Sequence, residues 1–349
     1  MEQASRPVET KKKSNVRVVK DYLVFQNEHL GKGQYGHVCK ARLQSEAKKK
    51  DAKVFACKIM EIANVPQEEL DCIQKEVHIH NMIDSKHCVK LYQSIKTQSN
   101  IYMMQDYCNG FDLQILLKLR KRLTQIEVSM ILRQVVKGCI DVWNLSVIHR
   151  DIKLANVLLH FPDNPEVDSM SRSDKFAFVK QFNFSTGSFK AVLSDFGLST
   201  IVYEGSNSQL SICGTPLYSS PQLLKKKGYS YKVDIWALGI MCYEMLMGTT
   251  PFHSFEMKEL INKINKGDYL LALGEPILME TALFLVNCLH SNESDRIGAD
   301  RLPDHPFVNM LALSENECYT AAPNVLDKET YLKELSRVNK LTQNTAEIE

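Results

Sequence analysis

From Val233-Asp234-Ile235-Trp236 to Met247 the chain is apolar at nearly every position. A helix written this way has no face to offer water, so it is buried along its length. Burying it takes a domain large enough to pack other helices around it. The chain can supply one: 349 residues are too many for a single compact core and suit two lobes with tails. At 44% hydrophobic and 24% charged residues, the composition is that of a soluble globular protein. A formal net charge of +2 gives no reason to expect a polyanion partner, so nucleic acid is not expected.

Ten cysteines are scattered without C-x-x-C or Cys/His ligand spacing, which reads as free thiols in a reducing compartment. Met1 to Lys20 is polar, carries Lys11-Lys12-Lys13 and lacks the apolar stretch of a signal peptide. No apolar run approaches the ~20 residues of a membrane span. The expectation is a cytoplasmic protein, with the nucleus as the other compartment. Residues 1–21 read as a disordered basic tail, its Lys11–Lys20 cluster being either a solvated segment or a localisation or docking signal.

His149-Arg150-Asp151-Ile152-Lys153-Leu154-Ala155-Asn156 concentrates the chemistry: a carboxylate, a lysine and a carboxamide stand close together. A second acid, Asp195, follows in Ser194-Asp195-Phe196-Gly197. Upstream, Tyr22 to Lys40 reads as strand, glycine turn and strand, the turn being Gly31-Lys32-Gly33-Gln34-Tyr35-Gly36. Glycine lets backbone N–H groups close over phosphate oxygens where a side chain would block them. The same spacing serves dinucleotide folds, but there a helix follows at once. Here Val38-Cys39-Lys40-Ala41 continues as strand.

After a lysine-rich turn from Lys48 to Lys53, Lys58 sits in the apolar strand Val54 to Met60. It is either a strand-edge lysine reaching for water or a phosphate ligand. Glu68 to Asp84 has helical period, with Leu70, Ile73 and Val77 as its apolar stripe. Glu76 flanks that stripe and can turn inward, where it needs a cation such as Lys58. His80, one turn on, is a packed core histidine or else a proton switch. Val89 to Tyr107 gives two more strands.

Thr124-Gln125-Ile126-Glu127 is a capping box opening a long helix whose buried face is Val128, Ile131, Leu132, Val135, Cys139 and Val142. Residues 161–175 are polar and read as loop. Phe176, Phe178, Phe182 and Phe184 fall at even spacing, which predicts a strand. Ser185-Thr186-Gly187-Ser188 offers a turn and Phe189 to Leu193 a returning strand. The expectation over 160–189 is therefore an inserted hairpin, with a docking site as the alternative. Residues 309–349 form a tail in which Tyr331, Leu335 and Val338 suggest a helix over 327–341, either docking or solvated.

Taken in order, the glycine turn, Lys58, Glu76, the Asp151/Lys153/Asn156 loop, the Asp195 motif and the apolar helix resemble the eukaryotic protein kinases over residues 22–308. The resemblance implies a bilobal α+β fold: an N-lobe (22–107) with an antiparallel five-stranded sheet and one helix, a hinge (106–110), and a mainly helical C-lobe (111–308). It implies ATP and Mg²⁺ as cofactors and a protein substrate. Gly31, Gly33 and Gly36 would cover the phosphates, Val38, Ala56 and Leu158 would enclose adenine, and Lys58 held by Glu76 would bind phosphate. Gln105 would be the gatekeeper, the backbones of Asp106 and Cys108 would read adenine, and Asp112 would reach the ribose or act simply as a helix-start acid. Asn156 and Asp195 would hold Mg²⁺, Asp151 would be the catalytic base and Lys153 would neutralise the γ-phosphate.

Lys153 together with Gly214-Thr215-Pro216-Leu217-Tyr218, the substrate platform, is similar to the Ser/Thr branch. Tyr107-Cys108-Asn109-Gly110 and the long segment before Asp195 resemble the autophagy-initiating kinases. Ser211 matches the family's usual phosphosite, with Ser206 and Ser208 as alternatives, and Arg150 would receive its phosphate. An upstream kinase, or a regulatory partner at the insert or tail, follows from that. Two departures stand out. Gln222 replaces the glutamate that pairs with a C-lobe arginine, here Arg296, which predicts a softer activation segment. Ala155 stands where basophilic kinases often carry an acid. The alternative to an active enzyme is a pseudokinase scaffold binding through insert and tail.

Overall fold

The computed structural model describes residues 15–33, 36–49, 52–202, 214–225, 228–267, 269 and 277–310. Ser206, Ser208, Ser211, the Lys11–Lys13 cluster and the 327–341 segment lie outside these residues. The chain divides into two compact units, one comprising Met1–Ile73 with Leu91–Tyr107 and the other Gln74–Lys90 with Cys108–Glu349.

The first unit is built on one antiparallel sheet of six strands: β1 (Val16–Val19), β2 (Tyr22–Gly33), β3 (Gly36–Leu43), β4 (Val54–Glu61), β5 (Leu91–Lys96) and β6 (Asn100–Asp106). They lie in the order β1-β2-β3-β4-β6-β5. This is one strand more than the expected five. β1 pairs with β2 from Val16↔Phe25 to Val19↔Tyr22, so the sheet begins inside the segment read as tail. The cause is local. Val16, Val18 and Val19 favour extended backbone, Lys20 reverses the chain at φ 52°, and Arg17 lies over the Tyr102 ring.

Directly paired residues share a face, and every second residue returns to it. One face therefore packs Cys39, Ala41, Phe55, Cys57, Tyr102 and Met104 into an apolar cluster. The other carries Val38, Ala56, Lys58, Met103 and Gln105, set by the register Val38↔Lys58, Lys58↔Met103 and Ala56↔Gln105. Helix α1 (Gln67–Met82) begins in this unit and ends in the second. Its buried positions are Ile73, Glu76, Ile79 and His80, while Leu70 and Val77 are only half-buried. Glu76 thus lies inside the buried face, not on its flank.

The second unit is mainly helical, with α2 (Leu113–Arg120), α3 (Gln125–Trp143), α4 (Arg172–Gln181), α5 (Pro221–Leu224), α6 (Lys232–Met247), α7 (Met257–Lys266) and α8 (Met279–Cys288). Its short strands pair as β7 (Val147–Ile148) with β10 (Thr200–Ile201) and β8 (Val157–His160) with β9 (Lys190–Leu193). Helix α6 is buried at every position from Val233 to Tyr243, as its composition requires. Its Gly239 has no room for a side chain: a Cβ there would come within 2.8 Å of Cys288 on α8. The capping box of α3 forms as expected, Thr124 and Glu127 bonding each other's backbone N–H.

The inserted hairpin is not there. The segment holding Phe176 and Phe178 is helix α4, capped by Ser171, which accepts from Asp174 N–H. Spacing by two across 176–178 and 182–184 also contains spacing by four, and the cap decides for the helix. Phe178 and Phe182 then sit one turn apart and close on the Phe161 ring at 5.1 and 4.7 Å, with Phe184 and Phe189 packed edge-on to each other. Arg120 on α2 donates to the Phe182 carbonyl and pairs with Glu127 at 2.8 Å. The insert is thus built into the second unit, and β9 returns to β8 and not to a partner strand of its own.

Phe184 is fully buried in that cluster. Phe184→Ala is expected to cost about 3–5 kcal/mol, read as a lower urea midpoint with an unchanged slope. A second expectation concerns pH. His305 is buried beside Phe284 and accepts from Phe307 N–H, and burial, reinforced by Arg301, holds its imidazole down at about 3 against an ordinary 6.5. Between those values the unfolded chain binds a proton that the folded chain refuses. Stability from this group is complete above pH 6.5 and falls as pH drops toward 3. Urea titrations across that window should show the slope, and His305→Gln should flatten it.

Candidate active site

The loop after β7 runs from His149 to Asn156, and one buried acid shapes its start. Asp234, at the beginning of α6, accepts from His149 N–H at 2.9 Å, from Arg150 N–H at 2.8 Å and from the Trp143 indole at 2.9 Å. The two consecutive N–H groups share one carboxylate, and the chain then turns through the left-handed region at Arg150, φ 66°. Burial pushes the Asp234 carboxyl above its ordinary value, while His149 and the three donors pull the other way. His149 continues the chain of contacts: its Nδ1 accepts from Asp151 N–H at 3.3 Å and its Nε2 donates to the Ser194 carbonyl at 3.1 Å.

Asp151, Lys153, Asn156 and Thr215 then close on one another. Lys153 Nζ lies 2.7 Å from Asp151 Oδ2 and donates to Thr215 Oγ1 at 3.1 Å. Thr215 Oγ1 donates to Asp151 Oδ1 at 3.3 Å. Asn156 Nδ2 reaches the Asp151 carbonyl at 2.8 Å and its Oδ2 at 2.9 Å. Gly214 makes this approach possible. It sits at φ 94°, and a Cβ there would lie 2.7 Å from the Arg150 carbonyl. Of the residues singled out from the sequence, Asp151, Lys153, Asn156, Gly214 and Thr215 are thus brought together.

Pairing of β8 with β9 carries Asp195 to the same place. Asn156 carbonyl accepts from Ser194 N–H and from Ser194 Oγ, each at 2.9 Å, and Asp195 is the next residue, strained at φ 62°. A Cβ on Gly197 would lie 3.2 Å from Glu76 Oε2 and 3.3 Å from Asp195 Oδ1, so two carboxylates crowd one glycine. Asn156 commits its amide nitrogen to Asp151, which turns the carboxamide oxygen to other uses. That oxygen and the Asp195 carboxylate are each donors of the kind a hard divalent cation takes, so by donor chemistry these residues fit Mg²⁺. The Phe196 ring is held between His80, 4.9 Å away, and His149, 5.2 Å away. His80 Nε2 donates to the Val89 carbonyl at 2.7 Å; it is a packed core histidine.

The base-contacting candidates fall into two groups. Val38, Ala56, Lys58 and Gln105 share one sheet face in the first unit, and Asp106 ends β6 there. Gly36 is required by packing: a Cβ would meet the Ile59 carbonyl at 1.8 Å, whereas Gly31 has open space around it. In the second unit, Asp112 and Leu158 pair as an isolated bridge, and Gly110 N–H donates to the Leu159 carbonyl. Asp112 also caps α2, accepting from Ile115 N–H at 2.8 Å, so its reading as a helix-start acid holds. Cys108 opens the longer segment of this second unit. Arg150 Nε donates to the Leu198 carbonyl at 2.6 Å and Nη1 to Tyr229 Oη at 3.1 Å; the serines whose phosphate it would receive lie outside the described residues. Sequence reasoning missed the role of Asp234, although an acid inside an otherwise apolar helix was the signal. It also missed the bond from Tyr218 to Glu244 on α6, and Lys75, whose Nζ donates to Thr200 at 2.8 Å.

Residues 25–308 match the protein kinase domain family, and the chain belongs to it. It is similar to the serine/threonine-protein kinase PLK2 of Mus musculus, 30% identical over 73% of this chain and 33% of that protein. It is 30% identical to the serine/threonine-protein kinase plk-2 of Caenorhabditis elegans, over 87% of this chain and 43% of the relative. To the probable cell cycle serine/threonine-protein kinase CDC5 homolog of Encephalitozoon cuniculi it is 27% identical, over 80% and 53%. The chain thus spans between a third and about half of these relatives. They do not support the expected likeness to the autophagy-initiating group.

The Gln222–Arg296 pair forms as expected. Arg296 Nη2 donates to Gln222 Oε1 at 2.5 Å, Nη1 to the Lys232 carbonyl and Nε to the His290 carbonyl, while Gln222 Nε2 donates to the Ser291 carbonyl. Burial lowers the Arg296 guanidinium to about 10. Gln222→Ala removes one acceptor from a buried cation and is expected to cost about 1–3 kcal/mol. Faster amide hydrogen exchange over residues 216–225 is the readout.

Proposed function

We propose that this chain is an ATP-dependent serine/threonine protein kinase, moving the γ-phosphoryl group of ATP to a serine or threonine hydroxyl of a protein. The observation that carries the reading is the closed set Asp151–Lys153–Thr215, a carboxylate with a lysine and a hydroxyl positioned on it. Phosphoryl transfer asks little covalent chemistry of a protein and depends on position and electrostatics. Asp151 accepts the hydrogen bond of the incoming hydroxyl and takes its proton. Lys153 is the cation beside the transferring group, and Thr215 holds both from the platform side. Lys58, held by Glu76, binds the phosphates from the sheet face it shares with Val38 and Ala56. The backbones of Asp106 and Cys108 read adenine, with Gln105 as gatekeeper, Leu158 beneath the base and Asp112 at the ribose.

Mg²⁺, when bound through Asn156 and Asp195, supplies neutralisation of phosphate charge. The scaffold alternative has no specific observation behind it, because every residue whose loss it would require is present. Among the described residues, no helix is long and apolar enough to cross a membrane.

Asp151→Asn keeps the shape and loses the base. Transfer of radiolabel from ATP to a generic protein is expected to fall by about 10²–10⁴-fold, with label on serine and threonine only for the intact chain. Equal labelling by both proteins would remove the assignment.

A further inference from the structure

Strand β5 carries an irregularity with a visible product. Its pairing with β6 steps from Leu91↔Gln105 to Gln93↔Met104, so Tyr92 is an extra residue opposite no partner. A bulge of this kind re-aims the side chain it carries and recurs beside functional sites. Here the Tyr92 hydroxyl donates to Asp106 Oδ1 at 2.6 Å and accepts from Lys53 Nζ, also at 2.6 Å. Lys53 Nζ is itself 4.0 Å from Asp106 Oδ1. Three groups from the turn before β4, the bulge of β5 and the end of β6 therefore form one relay inside the first unit.

An exposed ion pair alone is worth little, because two mobile side chains must be held in one geometry. This relay starts with that cost already met. The Tyr92 ring stands edge-on to Phe55 at 5.2 Å, and Lys53 Nζ lies 4.0 Å over its centre. Phe55 is in turn the register partner of Asp106. Burial and the Asp106 carboxylate hold the Tyr92 hydroxyl above its ordinary value, so the proton stays on oxygen for donation.

We infer that Tyr92, supported by Lys53, is a positioning residue for recognition of the nucleotide base. By fixing the Asp106 side chain, the relay sets the orientation of the Asp106 peptide at the end of β6, where adenine is read. This inference rests on the nucleotide site proposed above and adds two residues to it that no kinase motif contains. Neither touches the nucleotide. Their effect falls on selectivity for adenine and not on the transfer step.

The test is calorimetric titration of the full chain with MgATP and with MgGTP, for the wild type, Tyr92→Phe and Lys53→Met. Tyr92→Phe removes one oxygen and keeps the ring contacts. Affinity for ATP is expected to fall about fivefold to tenfold, the scale of one ordinary intramolecular hydrogen bond, while GTP affinity hardly changes and the ATP/GTP ratio narrows. Lys53→Met should move the ratio in the same direction by less. In kinetics the same variants should raise KM for ATP and leave kcat within about twofold. An unchanged ratio in Tyr92→Phe would overturn the inference with the nucleotide site intact. An equal loss for both nucleotides would overturn it too, marking a general structural role. If the wild type binds neither nucleotide, the site itself fails and takes the inference with it.

Discussion

A single carboxylate, Asp234, decides whether the rest of the second unit can do anything. It stands at the start of a helix otherwise wrapped in apolar side chains, where an unpaired charge would be costly. The N–H groups of His149 and Arg150 and the Trp143 indole compensate it. The compensation has a geometric consequence. Directly after those two bonds the chain passes through the left-handed region at Arg150, and that reversal presents Asp151 to Thr215 and Gly214. The core helix and the reactive loop are therefore one construction. The apolar wrap fixes the helix, the helix fixes the acid, and the acid fixes the loop.

The same economy appears in the sheet. Strand alternation separates a packing face from one bearing Lys58, and residues bonded across β3, β4 and β6 reach that second face together. Glycines in the preceding turn are not equivalent. Gly36 is glycine because the β4 backbone leaves no space for a Cβ, whereas Gly31 has open surroundings. Identical letters in one motif thus stand in two different surroundings, one closed and one open.

What could be read from the sequence was what short-range chemistry settles. The buried helix 232–247, the capping box at Thr124 and Glu127, the capping role of Asp112 and the contacts of Asp151 with Lys153 and Asn156 each follow from a few neighbouring residues. What could not be read depends on distant partners. The phenylalanines of 176–184 fit a strand by spacing, and a serine cap together with the Phe161 ring settles them as helix α4 and its exit. β1 hides behind a basic composition until Tyr22–Phe25 is there to pair with. The two contacts of Arg150, a carbonyl and a tyrosine hydroxyl, lie far along the chain and leave no local pattern. A bulge such as that at Tyr92 leaves no trace in hydrophobic period.

The exchange of glutamate for Gln222 bears on how the segment from Gly214 to Lys225 is anchored. A carboxylate would offer Arg296 charge but could only repel the Ser291 carbonyl that Gln222 Nε2 now bonds. The amide satisfies both neighbours at once, an acceptor for the buried guanidinium and a donor for the carbonyl. Arg296 meanwhile keeps two backbone carbonyls and lies 5.0 Å over the Trp236 ring, so its charge is spread over several weak acceptors. Charge-assisted pairs are roughly twice as strong as neutral ones, but they also demand that every remaining lone pair be satisfied. At this position the neutral residue completes the hydrogen bonding that a charged one would leave open, and the anchor trades strength for closure.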